Sequence, residues 1–300
     1  MKKALVVLSG GQDSTTCLAI CMALLTKGSI DAIAAVTFDY GQRHVRELQA
    51  AKDIAELCGV TEHEIVQVGP ILAGTSPLTD PNQPLEQYKD FASMDAIIGD
   101  RVEKTFVPMR NALFLTLAAN RAVCMGATMI VTGVCEADNA NYPDCRQDFI
   151  YSQERTINEA LGFDRGDERY IHIWTPLMTS SKAKSIDMLM ELGVNAFALL
   201  AFSHTAYDGA YPPVGNDHAT LLRAEGFRQA GVADPLIVRA AMDGLMPYPG
   251  TENYDAYHAR QQLGVKDSEL QFAIKAHQAR LQAGAIRRHN AAVDFSKAVQ

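Results

Sequence analysis

The run Ala4-Leu5-Val6-Val7-Leu8-Ser9-Gly10-Gly11-Gln12-Asp13-Ser14 decides how this chain is read. Residues 4–8 are continuously apolar, the pattern of a parallel strand buried on both faces. The run breaks at Ser9, and residues 15–27 carry a helical pattern. Strand, glycine turn and helix in that order aim backbone N–H groups and the positive end of a helix dipole at an anion. Gly10 and Gly11 let the backbone approach a phosphate, and Ser9, Ser14 and Thr15 add hydroxyl donors. No lysine follows the glycines at Walker A spacing, and the three spaced glycines of a dinucleotide loop are missing. An ordinary glycine turn is the plain alternative.

Outward from this stretch, strand and helix patterns alternate. Residues 33–38, 64–68, 128–134 and 171–174 read as strands, and a short extended segment ends at Val107. Residues 45–58, 111–125, 148–161 and 182–192 read as helices. Repeated strand–helix units imply an α/β fold, a parallel sheet with helices on both faces. Ligands of such sheets sit outside the carboxyl ends of the strands. Residues 70–99, with their prolines, asparagine and acidic side chains, predict a long irregular insertion, a lid or a surface loop. Residues 206–249 are rich in Gly, Pro and Asp. After Tyr254 a helical pattern returns, with Leu263, Leu270, Ile274 and Leu281 on one stripe. The domains expected are 1–200, interrupted by 70–99, and a largely helical 201–300.

At 300 residues and 48% hydrophobic, the chain can bury a large core. A net charge of −8 makes nucleic acid an unexpected partner. The six cysteines show no disulfide-scaffold spacing and suit free thiols in a reducing compartment. The apolar run after Met1-Lys2-Lys3 is too short for a leader, and no stretch is long enough to span a bilayer. The expected location is the cytoplasm.

Polar clusters follow the strand ends. The first is Phe38-Asp39-Tyr40-Gly41-Gln42-Arg43-His44, which offers stacking, oxyanion stabilisation and proton transfer. Next come Val107-Pro108-Met109-Arg110-Asn111 and Thr132-Gly133-Val134-Cys135-Glu136-Ala137-Asp138. Tyr142-Pro143-Asp144-Cys145-Arg146 follows, then Thr175-Pro176-Leu177-Met178 with Lys182. Any one of these could be no more than an ion pair or a helix cap on the sheet rim.

The opening loop resembles the pyrophosphate loop of the ATP pyrophosphatase (PP-loop) superfamily. The full set of segments, over roughly residues 4–235, resembles 7-cyano-7-deazaguanine synthases. NAD synthetase, GMP synthetase and tRNA thiolation enzymes share the loop but not the other segments. The resemblance implies a Rossmann-like fold of the HUP, adenine nucleotide alpha hydrolase-like, class. It implies ATP and Mg²⁺ as cofactors and 7-carboxy-7-deazaguanine as substrate. The substrate's carboxylate would attack the α-phosphorus of ATP and release pyrophosphate. Ser9, Gly10, Gly11, Asp13 and Ser14 would hold the pyrophosphate, with Phe38 and Gly133 beside the nucleotide. Asp13, Lys182, Arg110, Arg43 and His44 are the catalytic candidates. Tyr40, Gln42, Glu136, Tyr142, Asp144 and Arg146 are the substrate-binding candidates. The family implies a homodimer, a pairing the C-terminal stripe could serve.

Two departures stand out. The family binds zinc through four cysteines, whose positions here hold Ala206, Val214, Asp217 and Thr220, so no structural zinc is expected. Met109 stands where the family has glycine, a bulk expected to narrow the pocket. Zinc-free relatives of bacterial antiviral operons join the deazaguanine to a protein amine, and the departures lean toward that acceptor. Ammonia, leading to a nitrile, is the alternative. A binding module without turnover is a third reading.

Overall fold

The computed structural model describes residues 2–42, 46–136, 140–213, 215–246 and 267–298. Five strands form one sheet: β1 (Lys3–Val7), β2 (Ala32–Asp39), β3 (His63–Gln67), β4 (Met129–Val131) and β5 (His172–Trp174). Their order is β3-β2-β1-β4-β5, with every neighbouring pair parallel. The chain runs outward to β3 and then crosses back beside β1. The gap between the carboxyl ends of β1 and β4 is therefore a topological switch point, where such sheets bind ligands. The fold is the Rossmann-like α/β arrangement expected.

Side-chain alternation along β1 builds a core on each face. Ala4, Val6 and Leu8 point to one side and meet Cys17 and Leu18 of α1 (Gln12–Thr26) and Ile54 of α2 (Arg46–Leu57). Leu5 points to the other side and joins Val36, Ile130, Leu115 of α4 (Arg110–Met125) and Ile150 of α5 (Gln147–Leu161). The short helix α3 (Phe91–Ile98) lies between α2 and α4 in the chain.

The first face also receives the described helices after residue 181. Helices α6 (Lys182–Glu191), α7 (Val194–Ala198), α8 (His218–Ala230), α9 (Pro235–Met242) and α10 (Asp267–Ala298) all send residues to it. The boundary placed at residue 200 falls inside a 3-10 turn, Leu199–Phe202, whose side chains belong to this same core. Leu270 and Ile274 of α10 are fully buried there and Leu281 packs against it, whereas Leu263 lies outside the described residues.

Several local expectations change. The short extended segment expected to end at Val107 pairs with no strand; residues 104–105 and 108–109 are turns, and Val107 is buried with Tyr40, Leu72 and Leu78. The strand expected over 128–134 pairs only across Met129–Val131, because the chain turns away there to line a cavity. The insertion is irregular to Asp90 and then helical. Asp90 accepts a bond from the Ser93 N–H and Ser93 Oγ accepts from the Asp90 N–H, a capping box that starts α3. Helix α1 begins at Gln12, not Thr15. All six cysteines are free. Among the described residues no helix is long and apolar enough to cross a membrane.

A buried ion pair ties the C-terminal segment to the sheet face. Arg223 Nε and Nη2 donate to Asp234 at 2.6 and 2.7 Å. Its Nη1 donates to Ser203 Oγ and Thr205 Oγ1 at 2.8 and 2.9 Å, and Nη2 also reaches the Leu200 carbonyl at 3.2 Å. Asp234 in turn caps α9 through the Leu236 N–H. Both side chains are under 5% exposed, so removing one leaves the other charged and unpaired. Asp234→Ala should lower the unfolding free energy by about 3–5 kcal/mol. Urea unfolding measures it, and an unmoved midpoint would remove the pair from the stability of this segment.

Candidate functional site

A cavity of about 600 Å³ opens at the switch point, within the range of small-molecule sites. Its floor is the turn after β1. Gly10 has φ +82°, and a Cβ there would lie 2.5 Å from the Glu47 carbonyl oxygen, so α2 can close on the turn only over glycine. The His204 N–H donates to the Gly10 carbonyl at 2.8 Å, which fixes the turn from the opposite side. Gly11 caps α1 without a side-chain hydrogen bond, which leaves the first N–H groups of the helix to the cavity. Ser9 and Ser14 lie hydroxyl to hydroxyl at 3.1 Å, and Ser14 Oγ also accepts from the Ser9 N–H.

Three tertiary contacts set the charges. Lys182 Nζ donates to Asp13 at 2.6 Å. A Cβ on Gly133 would come within 2.9 Å of Asp13, and one on Gly226 within 2.6 Å of Lys182 Cβ. The missing side chains of Gly133, after β4, and Gly226, in α8, thus let the pair form from two sides.

The far wall is aromatic. Phe38 stacks on Phe114 at 4.7 Å, and Tyr40 meets Phe114 edge-on at 5.1 Å. Arg110 opens α4 beside Tyr40 and lines the same wall. Burial pushes the Tyr40 and Tyr142 hydroxyls above their ordinary pKa. Glu47 lines the cavity too, and burial raises its carboxyl to about 7 despite the nearby Arg110.

The cavity brings together Ser9, Gly11, Asp13, Ser14, Phe38, Tyr40, Gln42, Arg110, Gly133, Glu136, Tyr142, Arg146 and Lys182. Some of these are engaged elsewhere. Glu136 accepts from the Gln147 N–H at 2.6 Å and so serves the start of α5. The Tyr142 hydroxyl contacts Thr105 Oγ1 at 2.6 Å and Glu103 at 3.3 Å. Asp144 and Gly10 are not among the lining residues. Asp144 is buried, accepts from the Asn111 N–H at 3.2 Å, and burial raises its pKa. Arg43 and His44 lie outside the described residues.

Met109 does not narrow the cavity as its bulk suggested. It is 69% exposed, and it takes the left-handed φ of +66° that glycine adopts freely. The zinc positions offer no ligand set. Ala206 has no donor, Asp217 accepts from the Thr220 N–H and hydroxyl at 3.0 Å to cap α8, and Val214 lies outside the described residues. Sequence reading missed Glu47, Leu78, Thr205, Tyr207 and His218, all of which line the cavity. Only the strand–helix spacing hinted at Glu47, the second residue of α2.

Residues 3–231 match the family described as Queuosine biosynthesis protein QueC. The chain belongs to the QueC family. It is 49% identical over 237 residues to the 7-cyano-7-deazaguanine synthase of Gloeobacter violaceus, covering 79% of this chain and 96% of that protein. The protein of that name from Chromobacterium violaceum is 43% identical, over 79% of this chain and 94% of its own. A tRNA thiolase from Methanococcus maripaludis superposes with a TM-score of 0.36 and 14% identity, covering 89% of this chain and 74% of that one. The matched region of this QueC family member contains every loop that lines the cavity.

Gly133→Ala should destabilise the fold by about 1–3 kcal/mol, because its methyl must displace the start of α1. A thermal or urea melt indistinguishable from the parent would show that this approach has slack.

Proposed function

We propose that the chain activates 7-carboxy-7-deazaguanine with ATP and passes the acyl group to an amine. One observation carries the reading: a single cavity joins an anion-binding turn and the Asp13–Lys182 pair to an aromatic wall bearing an arginine. A triphosphate would lie over the Ser9–Ser14 turn, where N–H groups and Lys182 stand before charge develops on the leaving pyrophosphate. Magnesium prefers oxygen ligands, and Asp13 and Ser14 would hold it, where it neutralises phosphate charge. The deazaguanine ring would stack against Phe38, Tyr40 and Phe114. Arg110 would hold the acyl oxygens with its two-pronged guanidinium. The carboxylate oxygen attacks the α-phosphorus, the bond to pyrophosphate breaks, and an acyl-adenylate remains.

Ammonia is the acceptor that the relatives' names favour. It gives a primary amide, whose oxygen can be adenylated by a second ATP and expelled to leave a nitrile. The lean toward a protein amine rests only on the replaced cysteines at Ala206, Val214, Asp217 and Thr220. A secondary amide cannot be dehydrated to a nitrile, so that product would be a stable conjugate. A role in antiviral defence belongs to this second reading.

Incubation with the acid, ATP, Mg²⁺ and ammonium should release pyrophosphate and give the nitrile by mass spectrometry. A conjugate formed only with a protein amine would select the second reading, and no pyrophosphate with any amine would leave a binding module. Lys182→Met should slow pyrophosphate release roughly 10²–10³-fold.

A further inference from the structure

Three carboxylates line the cavity among the described residues, and two are occupied. Asp13 is paired with Lys182, and Glu136 accepts from the Gln147 N–H. Glu47 is different. An acid in the first turn of a helix is commonly an exposed partner of the helix dipole. Here it is half-buried and faces the cavity, and no hydrogen bond or ion pair reaches its carboxylate among the described residues. A partly desolvated carboxylate offset only by the charge of nearby Arg110, with no hydrogen bond from the described residues, is unfavourable for folding and points to a chemical role.

The proposed reaction supplies one, and the assignment rests on that reading. Forming the acyl-adenylate needs no base, because the acid attacks as its anion. Forming the carbon–nitrogen bond does, because the attacking nitrogen must lose a proton. The Glu47 backbone packs against the Gly10 turn, and its carboxylate, on the cavity lining, feels the charges of Tyr40 and Arg110, on the side where the acyl carbon would lie. Its negative charge repels phosphate and attracts an ammonium ion.

We infer that Glu47 is the proton acceptor for the incoming amine. The nitrogen lone pair of ammonia attacks the acyl carbon, and the acyl carbon–oxygen bond breaks with its electrons leaving on AMP. The proton shed by nitrogen moves to a Glu47 carboxylate oxygen and later to solvent.

Glu47 must be ionised to act. Burial raises its carboxyl to about 7, so the amine step should fall as pH drops below that point. The other titratable groups of the cavity are placed differently. Burial raises Tyr40, Tyr142 and Tyr207, and it lowers His218. The His204 ring contacts the Ala206 carbonyl at 2.8 Å, and Asp13 is held by Lys182.

The test compares ammonia with hydroxylamine, a stronger nucleophile already unprotonated at neutral pH, as acceptors of the acyl group. Glu47→Gln should slow the ammonia reaction roughly 10²-fold more than the hydroxylamine reaction. It should also abolish the limb near pH 7 in rates plotted against free ammonia. Equal losses with both amines, or a limb that persists in the variant, would overturn the assignment. The wild-type protein gives a check that needs no variant: absence of a limb near pH 7 overturns it as well. Wild-type protein that releases no pyrophosphate from the acid with either amine would instead remove the underlying reading, and this assignment with it.

Discussion

Asp13 and Lys182 are 169 positions apart, yet their charged atoms meet at 2.6 Å. That contact requires three separate close approaches. The turn after β1 must start α1 at Gln12, the loop just past β4 must carry a residue without a side chain, and α8 must sit tightly on α6. Gly10, Gly133 and Gly226 each remove a Cβ that would lie 2.5–2.9 Å from a neighbouring atom. The charge pair is weak as a source of stability at partial exposure. Its effect is positional, since it places a cation beside the uncapped N–H groups of α1 on the cavity floor.

The segment that carries the replaced cysteine positions is held by a network of hydrogen bonds and apolar contacts. Asp217 and Thr220 bond to each other and begin α8. The Arg223–Asp234 pair, with Ser203, Thr205 and the Leu200 carbonyl, ties α8, α9 and the preceding loop together. Phe227, Val238, Leu270 and Ile274 then share the core of the sheet face. The same network leaves Arg223 and His218 on the cavity wall.

Much of the site could be read in order along the chain. The glycine turn after β1, the arginine opening α4 and the lysine opening α6 each follow from a local pattern whose meaning does not depend on distant residues. The burial of Asp144 could not be read this way, because nothing in Tyr142-Pro143-Asp144 reveals that the Asn111 N–H reaches one of its carboxylate oxygens. Met109 misled for a similar reason. A residue's bulk is visible in sequence, but its direction is not, and a left-handed backbone turned it to solvent.

The sequence alone determined the α/β class, the strand-borne rim of polar loops and the family kinship, because period, turn residues and contiguous motifs are properties of neighbours in the chain. Only the tertiary structure decided that Glu47, Thr205, Tyr207 and His218 share one cavity and that, among the described residues, no hydrogen bond reaches the Glu47 carboxylate there. Those facts come from how closely helices approach a turn and each other. Close approach is settled by packing between residues far apart in sequence, which no local pattern records.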